Sequence, residues 1–253
     1  MFYFLMAPFL TYNWLLIVAA VVPAIYLMIK VYKLDRLDKE SPTMLRSMVT
    51  GGILSALMAL VIEKILSLLL DLLVPAGTVL YNVLLYFVVV GFTEEGCKYF
   101  MLRRRSWYSV EFNCLYDGVV YAAFTSLGFA LWENISYVLH FGFSTALVRA
   151  VTAIPGHTCF GVFMGLLYGC SRGYAYLQEG TKSKLLRILC VLIPSLIHGA
   201  YDYIASMQTK NADWIFLVFI LCLFAVSYLL AKRMSQNDRY FNMNRQDYRF
   251  WDM

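Results

Sequence analysis

The chain of 253 residues is 61% hydrophobic and 15% charged, whereas soluble domains are about 45–50% apolar and about 25% charged. Its formal net charge is +5, and the basic residues cluster beside apolar segments, so they indicate membrane anchors and not a nucleic-acid surface. The composition excludes a soluble globular domain and predicts a multi-pass protein of the lipid bilayer, without a nucleic-acid partner.

Seven apolar segments follow one another along the chain. A hydrocarbon core of roughly 30 Å is crossed by about 20 helical residues, and each segment has about that length. The sequence therefore predicts an all-α, polytopic transmembrane helix bundle of about seven spans, with one transmembrane domain over residues 1–231 and a tail over residues 232–253. The predicted spans are residues 13–32, 47–73, 78–102, 114–139, 145–170, 186–207 and 212–231.

The basic residues predict which way the bundle faces. Seventeen of the 21 Lys and Arg residues follow the first, third, fifth and seventh segments, and the opposite connections hold almost none. Because the positive-inside rule assigns such clusters to the cytoplasm, we expect the N-terminus outside and the C-terminus inside. The tail is then cytoplasmic.

Small residues and one proline mark the fifth segment. Gly161, Gly165 and Gly169 recur every fourth residue, a spacing that lets helix backbones approach closely in lipid. Pro155 interrupts the same segment and frees a backbone carbonyl, which is tolerated at membrane depth only where protein or water satisfies it. His157 follows directly on this predicted break.

Ionisable side chains lie in the middle of three segments. Glu94 and Glu95 stand in the third, His157 in the fifth and His198 in the sixth. A charge at bilayer depth costs about 3 kcal/mol on insertion scales, so such residues on separate spans indicate a functional centre. Consecutive residues on a helix point about 100° apart, so the two glutamates should divide the work. Lys98 is spaced to pair with either.

Other spans supply further polar residues. His198 and Asp202 are four residues apart and share a helix face, so both can reach one point. Glu133 is placed to form a structural ion pair with Arg149 or to join the site, and the sequence leaves both open. Glu63, on the second segment, is interpreted as structural, as part of a local pair. The supporting residues that we expect beside the centre are Lys98, Asp117, Glu133, Asn134 and Arg149.

These side chains suit the hydrolysis of a peptide bond. That reaction needs a base to activate water, a group that stabilises the oxyanion and a proton donor for the leaving amine. Glu94 or Glu95, with His157, His198 and Asp202, can supply these roles without a metal. Imidazoles and carboxylates also suit a catalytic zinc ion, whose ligands would be His157, His198, Asp202 and Glu95. The residues alone leave both mechanisms open.

Two other classes of membrane protein use similar residues. A proton-coupled transporter also carries ionisable residues on several spans, but the sequence has neither inverted repeats nor paired interrupted spans. A photoreceptor needs a Schiff-base lysine, and the seventh segment, residues 212–231, has none. Haem ligation by His157 and His198 would give the purified protein a visible absorbance.

The polar residues lie in sequence blocks that resemble the PrsW family of intramembrane proteases, distantly related to the CAAX-protease and bacteriocin-processing membrane family. The blocks fall in order over about residues 90–203, inside a family-like core of about residues 78–207, and together they are quite specific. They are Glu94-Glu95-Gly96-Cys97-Lys98, Asp117-Gly118-Val119-Val120-Tyr121, Gly128-Phe129-Ala130, Glu133-Asn134-Ile135-Ser136-Tyr137, Pro155-Gly156-His157 with Phe160 and Gly165, and His198-Gly199-Ala200-Tyr201-Asp202.

The resemblance implies an intramembrane endopeptidase of the bacterial cell (plasma) membrane. It would cleave single-span membrane proteins, with anti-sigma factors as the expected substrate class. Carried over, Glu94 and Glu95 are the catalytic pair, and His157, His198 and Asp202 complete the centre. Glutamic catalysis without a cofactor is favoured, with a Zn²⁺-dependent version as the alternative.

One residue departs from the wider superfamily that the resemblance brings in. The position of Asp202 often holds Asn there, whose amide could donate to an oxyanion. An ionised Asp cannot donate a hydrogen bond, so Asp202 is expected to be protonated, to orient His198 or to bind a metal.

Overall fold

The fold is described from a computed structural model. It describes residues 2–241, apart from the side chains of residues 2–13, 15, 16 and 146. Most of the predicted tail, residues 242–253, therefore lies outside the described residues. The helices are α1 (Phe2–Leu34), α2 (Pro42–Leu73), α3 (Val79–Val83), a π-helix (Leu84–Phe92), α4 (Thr93–Ser106), α5 (Asp117–Phe141), α6 (Phe143–Val151), α7 (Ala153–Tyr176), α8 (Gly180–Ala205) and α9 (Ala212–Gln236).

Six helical stretches are long and apolar enough to cross a membrane. They match six of the predicted spans, with Val79–Ser106 and Phe143–Tyr176 each counted as one stretch. The predicted fourth span forms α5, which is long enough but is not among the six. Most of its residues are buried, so neighbouring helices replace lipid around it and its polar and small residues are tolerated. The predicted polytopic helical bundle is confirmed, and α5 is an inner helix.

Glycines allow α5 to pack closely against α2 and α7. A Cβ added to Gly165 of α7 would lie 2.5 Å from the carbonyl oxygen of Gly118 on α5. One added to Gly52 of α2 would lie 2.0 Å from the carbonyl oxygen of Thr125. No larger residue fits at such distances, so the predicted close approach of the fifth segment is confirmed.

The break in the fifth predicted span lies at Thr152 and not at Pro155. α6 ends at Val151 and α7 begins at Ala153, with Thr152 between them at φ −118° and ψ −69°. Pro155 lies in the first turn of α7, where its missing N–H removes no hydrogen bond from the helix. The predicted break is therefore present, but it falls three residues before Pro155, and the carbonyl that this proline frees belongs to Val151, the last residue of α6.

The π-helix lies directly before Glu94 and Glu95. π-Helices are rare and occur frequently at functional sites, and the apolar sequence of this stretch does not predict one. Glycine brings it against α8, because a Cβ on Gly199 would lie 2.6 Å from the ring of Phe87. The beginning of α4 is thereby held beside the part of α8 that carries His198.

The helix ends that the sequence assigns to the cytoplasm meet at one end of the bundle. The N–H of Ser41, the residue before α2, donates to Glu111 at 3.0 Å. The N–H of Tyr116 donates to Asp238 at 2.8 Å, just beyond α9. The first residues of the predicted tail are thus attached to the bundle, and the direction in which this end faces remains a prediction.

Candidate active site

Four residues from three predicted spans meet in the interior of the bundle. Glu94 and Glu95 lie in the first turn of α4, His157 near the beginning of α7, and His198 in the second half of α8. All four are buried, and one donor atom from each lies within 4.8 Å of the donor atoms of the others. The predicted convergence of these side chains is therefore present in the structure.

Lys98 lies at the centre of this cluster, one turn along α4 from the two glutamates. Its Nζ is 2.7 Å from Oε1 of Glu95, 3.1 Å from Oε2 of Glu94 and 3.1 Å from Nδ1 of His157. The aromatic face of Phe129 covers the ammonium group, with its ring centroid 3.9 Å from Nζ. The sequence predicted that Lys98 could pair with either glutamate, and it pairs with both.

The two glutamates face different surroundings. Glu95 is fully buried, and its Oε1 lies 3.0 Å from Nδ1 of His198 as well as beside Lys98. Glu94 lines an open cavity, and its Oε2 is 3.8 Å from the same histidine nitrogen. The predicted division of the pair thus has a geometric basis, since water in the cavity can contact only Glu94.

His198 is held through both of its ring nitrogens. Nδ1 faces Glu95, while Nε2 lies 3.3 Å from Oδ2 of Asp202 one turn further along α8. The ring stacks on Phe160 with centroids 4.5 Å apart. Of the three expectations for Asp202, the geometry matches the one in which it orients His198.

His157 is likewise held on both sides. Its Nδ1 faces Lys98, and its Nε2 lies 2.8 Å from Oε2 of Glu133 on α5. The same Glu133 oxygen is 3.0 Å from Nη2 of Arg149 on α6. The sequence left open whether Glu133 pairs with Arg149 or joins the site, and in the structure it does both.

Asn134 binds Arg149 and connects it to α1. Its Oδ1 accepts a hydrogen bond of 2.9 Å from Nε of Arg149, and its Nδ2 donates one of 2.9 Å to the carbonyl oxygen of Ala20 on α1. Asn134 is fully buried. Its predicted place beside the centre is therefore present in the structure, with contacts that reach α1.

Asp117 is not part of the cluster, contrary to the prediction. It lies at the first residue of α5, sixteen residues before Glu133 and so roughly 24 Å away along the helix. There its Oδ2 accepts the backbone N–H groups of Asn113 and Cys114 at 2.9 and 2.6 Å. Asp117 thus stabilises the chain before α5, because its buried carboxyl group accepts two backbone N–H groups there.

Glu63 was missed as a site residue. The sequence interpretation made it half of a local pair with Lys64, but its side chain lines the cavity beside Glu94, and its Oε1 is buried without a hydrogen-bond partner. The helical position could have given the signal, because residue 63 follows Ala56 and Ala59 along the face of α2 that is turned inward.

The cavity beside the cluster has a volume of about 630 Å³. Its walls come from α2, the π-helix and α4 to α9, so residues distant in sequence share one space. Acidic and basic groups line one part and aromatic rings another. The lining includes Glu63, Glu94, Glu133, Arg149, His157, His198, Asp202 and Asp213, with Tyr86, Phe129, Trp132, Tyr137, Phe160, Tyr201 and Phe216.

The donor set fits a zinc ion by type and spacing. Two imidazoles and two carboxylates within 4.8 Å of one another are ligands that Zn²⁺ accepts. The set differs from the predicted one, because Glu94 takes the place of Asp202, which lies on the far side of the His198 ring. The Lys98 ammonium also lies within 3.1 Å of three of the four residues, so a bound ion would require Lys98 to move aside.

Together these features define a class: a polytopic membrane protein with buried glutamates and histidines beside an internal cavity. A family model described as PrsW family intramembrane metalloprotease matches residues 40–230, and the chain belongs to this family. The predicted family resemblance is confirmed. The match is longer than the predicted core of about residues 78–207, and it includes α2 with Glu63.

Curated relatives agree with the family match. The chain is 36% identical over 153 residues to a Protease PrsW of Halalkalibacterium halodurans, covering 60% of this chain and 69% of the relative. It is 37% identical over 138 residues to that of Bacillus subtilis, covering 54% and 60%. It is 30% identical over 235 residues to that of Clostridioides difficile, covering 89% and 94%. No solved structure matches the chain.

Proposed function

We propose that this protein is an intramembrane endopeptidase of the bacterial cell membrane which uses Glu94 as the base that activates water. The observation that carries the proposal is the position of Glu94, at the boundary between the buried cluster and the cavity. Membership of a protease family favours hydrolysis over proton-coupled transport.

The proposed reaction begins with a water molecule in the cavity. Glu94 takes a proton from this water, and the oxygen attacks the carbonyl carbon of the scissile bond. His198, between the carboxylates of Glu95 and Asp202, can hold a positive charge and stabilises the negative charge on the carbonyl oxygen. Glu94 then returns its proton to the amine nitrogen as the C–N bond breaks.

Glu95 and Lys98 act as positioning residues in this scheme. Glu95 touches both Lys98 and His198 but does not line the cavity. Lys98 fixes the two glutamates relative to each other, and its positive charge lowers the cost of ionising them in a buried place. The cluster therefore holds its geometry before a substrate arrives.

A zinc-dependent version of the same protease is the second candidate, favoured by the four-residue donor group. Glu94, Glu95, His157 and His198 would hold the ion, which when bound would supply a Lewis acid and lower the pKa of water. We favour the metal-free version because the Lys98 ammonium already contacts three of the four residues, Glu94, Glu95 and His157, at the place that the ion would take.

The proposed substrates are single-span membrane proteins such as anti-sigma factors. A cavity of about 630 Å³ holds a short stretch of extended peptide but not a helix with its side chains. A helical peptide bond is also hydrogen-bonded internally, so the substrate has to unwind locally. We expect cleavage in a loop or juxtamembrane segment.

Cleavage of a single-span substrate by purified protein tests the proposal. We expect Glu94→Gln to reduce the rate roughly 10²–10⁴-fold, because an amide cannot accept the proton from water. His140→Gln is the matched control, since His140 lies on α5 outside the cavity lining. Full activity of Glu94→Gln would remove Glu94 as the base, and full activity of Glu95→Gln as well would remove the catalytic role of the pair.

Elemental analysis of the active protein, purified without chelator, decides between the two versions. The metal-free version predicts no stoichiometric zinc and unchanged activity after dialysis against a chelator. Stoichiometric zinc that is lost in His157→Ala, together with loss of activity on chelation, would instead support the zinc-dependent version.

A further inference from the structure

A chain of polar contacts runs from α1 to the imidazole of His157. It begins at the carbonyl oxygen of Ala20, passes through Asn134 to Arg149, and continues through Glu133 to Nε2 of His157. Each of its four contacts measures between 2.8 and 3.0 Å. Asn134 and His157 are buried and Glu133 and Arg149 are half-buried, so little water competes for these contacts.

The contacts of His157 determine which ring nitrogen carries the proton. The Lys98 ammonium has only donors, so Nδ1 of His157, at 3.1 Å from Nζ, has to be the acceptor. The proton of the neutral ring then lies on Nε2, where the Glu133 carboxylate accepts it at 2.8 Å. Both neighbours therefore favour the same tautomer.

We propose that Glu133 is a positioning residue that holds His157 in the Nε2–H tautomer, with the Nδ1 lone pair directed at the glutamate cluster. Arg149 and Asn134 hold Glu133 in turn. The inference rests on the proposed function, but it holds for both catalytic versions, because a carboxylate that orients a histidine serves an active site with or without a metal.

The proposal gives α1 and α6 a role in the reaction. The break at Thr152 separates α6 from α7, so α6 need not continue the axis of α7. Arg149, on α6, pairs with Glu133 on α5. Arg149 also covers the ring of Tyr137 at 4.1 Å from its centroid. Since Asn134 is tied to α1, a displacement of either helix changes the support of His157.

Nitrogen-15 NMR of histidine-labelled protein in bilayers tests the tautomer directly. The chain has only three histidines, and single substitutions of each assign the signals. We expect the neutral His157 ring to carry its proton on Nε2. The exposed His140 is the internal reference, because its Nδ1 lies 2.7 Å from the carbonyl oxygen of Ser136 and therefore carries the proton. A His157 protonated on Nδ1, or on both nitrogens, would overturn the proposal.

Enzyme kinetics test the consequence for the reaction. We expect Glu133→Gln to weaken the Nε2–H hydrogen bond in the spectrum and to lower kcat about 10–100-fold with little change in KM. Glu133→Asp should recover part of both effects. Arg149→Lys keeps the charge but loses the Nε contact with Asn134, so it should lower kcat less than Glu133→Gln does. It also provides a second test if Glu133→Gln fails to fold.

The two readouts separate this inference from the proposed function. The tautomer is measured without substrate, so it can be confirmed even if no peptide is cleaved. An unchanged kcat in both Glu133→Gln and Arg149→Lys, in a protein that does cleave its substrate, would contradict the positioning role alone.

Discussion

At the scale of single residues, Lys98 balances the charge of the centre. It is fully buried, and its ammonium contacts both Glu94 and Glu95. Removing one partner of a buried ion pair costs about 3–5 kcal/mol, because the remaining charge stays buried without compensation. We expect Lys98→Met to lower the free energy of unfolding by about that amount, measured by thermal or denaturant unfolding in detergent.

The matched control is Lys64→Met, which removes an exposed lysine from α2 and should leave stability nearly unchanged. Lys98→Met also distinguishes the metal-free version of the mechanism from the zinc-dependent one. In the metal-free version Lys98→Met loses activity, whereas in the zinc-dependent version it removes the group that occupies the position of the ion and should strengthen zinc binding. Equal stability of Lys98→Met and Lys64→Met would contradict the structural role given to Lys98.

Residues that are costly to bury were the ones that the sequence predicted well. Glu94, Glu95, His157 and His198 lie in the middle of apolar segments, where a polar side chain is costly and indicates a functional centre. Glu63 has a lysine beside it, which suggested local pairing and hid its position on the inner face of α2. Asp117 was predicted to lie beside the centre but does not. Its carboxyl group is buried because it accepts backbone N–H groups just before α5.

At the scale of elements, the contact between the π-helix and α8 sets the position of Glu95 relative to His198. Gly199→Ala would put a Cβ 2.6 Å from the ring of Phe87 and 2.8 Å from its backbone, so the two helices have to separate. Overpacking of this kind costs about 1–3 kcal/mol. We expect lower thermal stability and a larger loss of cleavage activity, because the π-helix leads directly into α4, which carries Glu95, while His198 lies on α8.

Gly96→Ala serves as the control for this substitution. Gly96 lies in α4, and a Cβ there meets nothing within 4 Å, so the change should leave stability equal or raise it by up to about 1 kcal/mol. If Gly199→Ala were as stable and active as Gly96→Ala, the close contact would not determine the geometry of the centre.

The sequence predicted where the long helices lie along the chain, but it did not predict which neighbours surround each of them. Hydropathy located every long helix, because a chain in lipid has to satisfy its backbone internally. It did not reveal that α5 is an inner helix or that residues 84–92 form π-turns. Both depend on which neighbour covers which face, and that information lies in pairs of distant residues such as Gly52 with Thr125 and Gly199 with Phe87.

At the scale of the whole molecule, folding should depend on pH through the end of the bundle opposite the active site. Burial raises the pKa of Glu40, in the connection between α1 and α2, to about 7 and that of Asp35 to about 6. The folded state therefore binds protons that the unfolded chain releases. The stability that these two groups contribute is therefore full below about pH 4, falls as the pH rises to about 7, and is lost above that value.

Glu40→Gln tests this pH dependence. Its amide can still accept the hydrogen bond from the Tyr121 hydroxyl, but it has no charge to desolvate. We expect the variant to be more stable than the wild type at pH 8, by about 1–3 kcal/mol, and nearly equal to it at pH 4.5. Thermal unfolding in detergent at both values measures the difference. Glu179→Gln, a partly exposed residue paired with Lys182, should follow the wild type at both pH values, and a Glu40→Gln variant that did the same would contradict the argument.

The depth of the centre determines what a cut would leave behind. His198 lies seven residues from the last residue of α8, which is roughly 10 Å along the helix. It lies eighteen residues, or roughly 27 Å, from the first residue, so it is nearer to the membrane surface at the C-terminal end of α8. With the predicted orientation, the nearer surface is the extracellular one. A substrate severed at this level would lose its outer domain while the remaining stub kept most of its apolar length. Its inner half would stay anchored in the bilayer, and release into the cytoplasm would need a separate event.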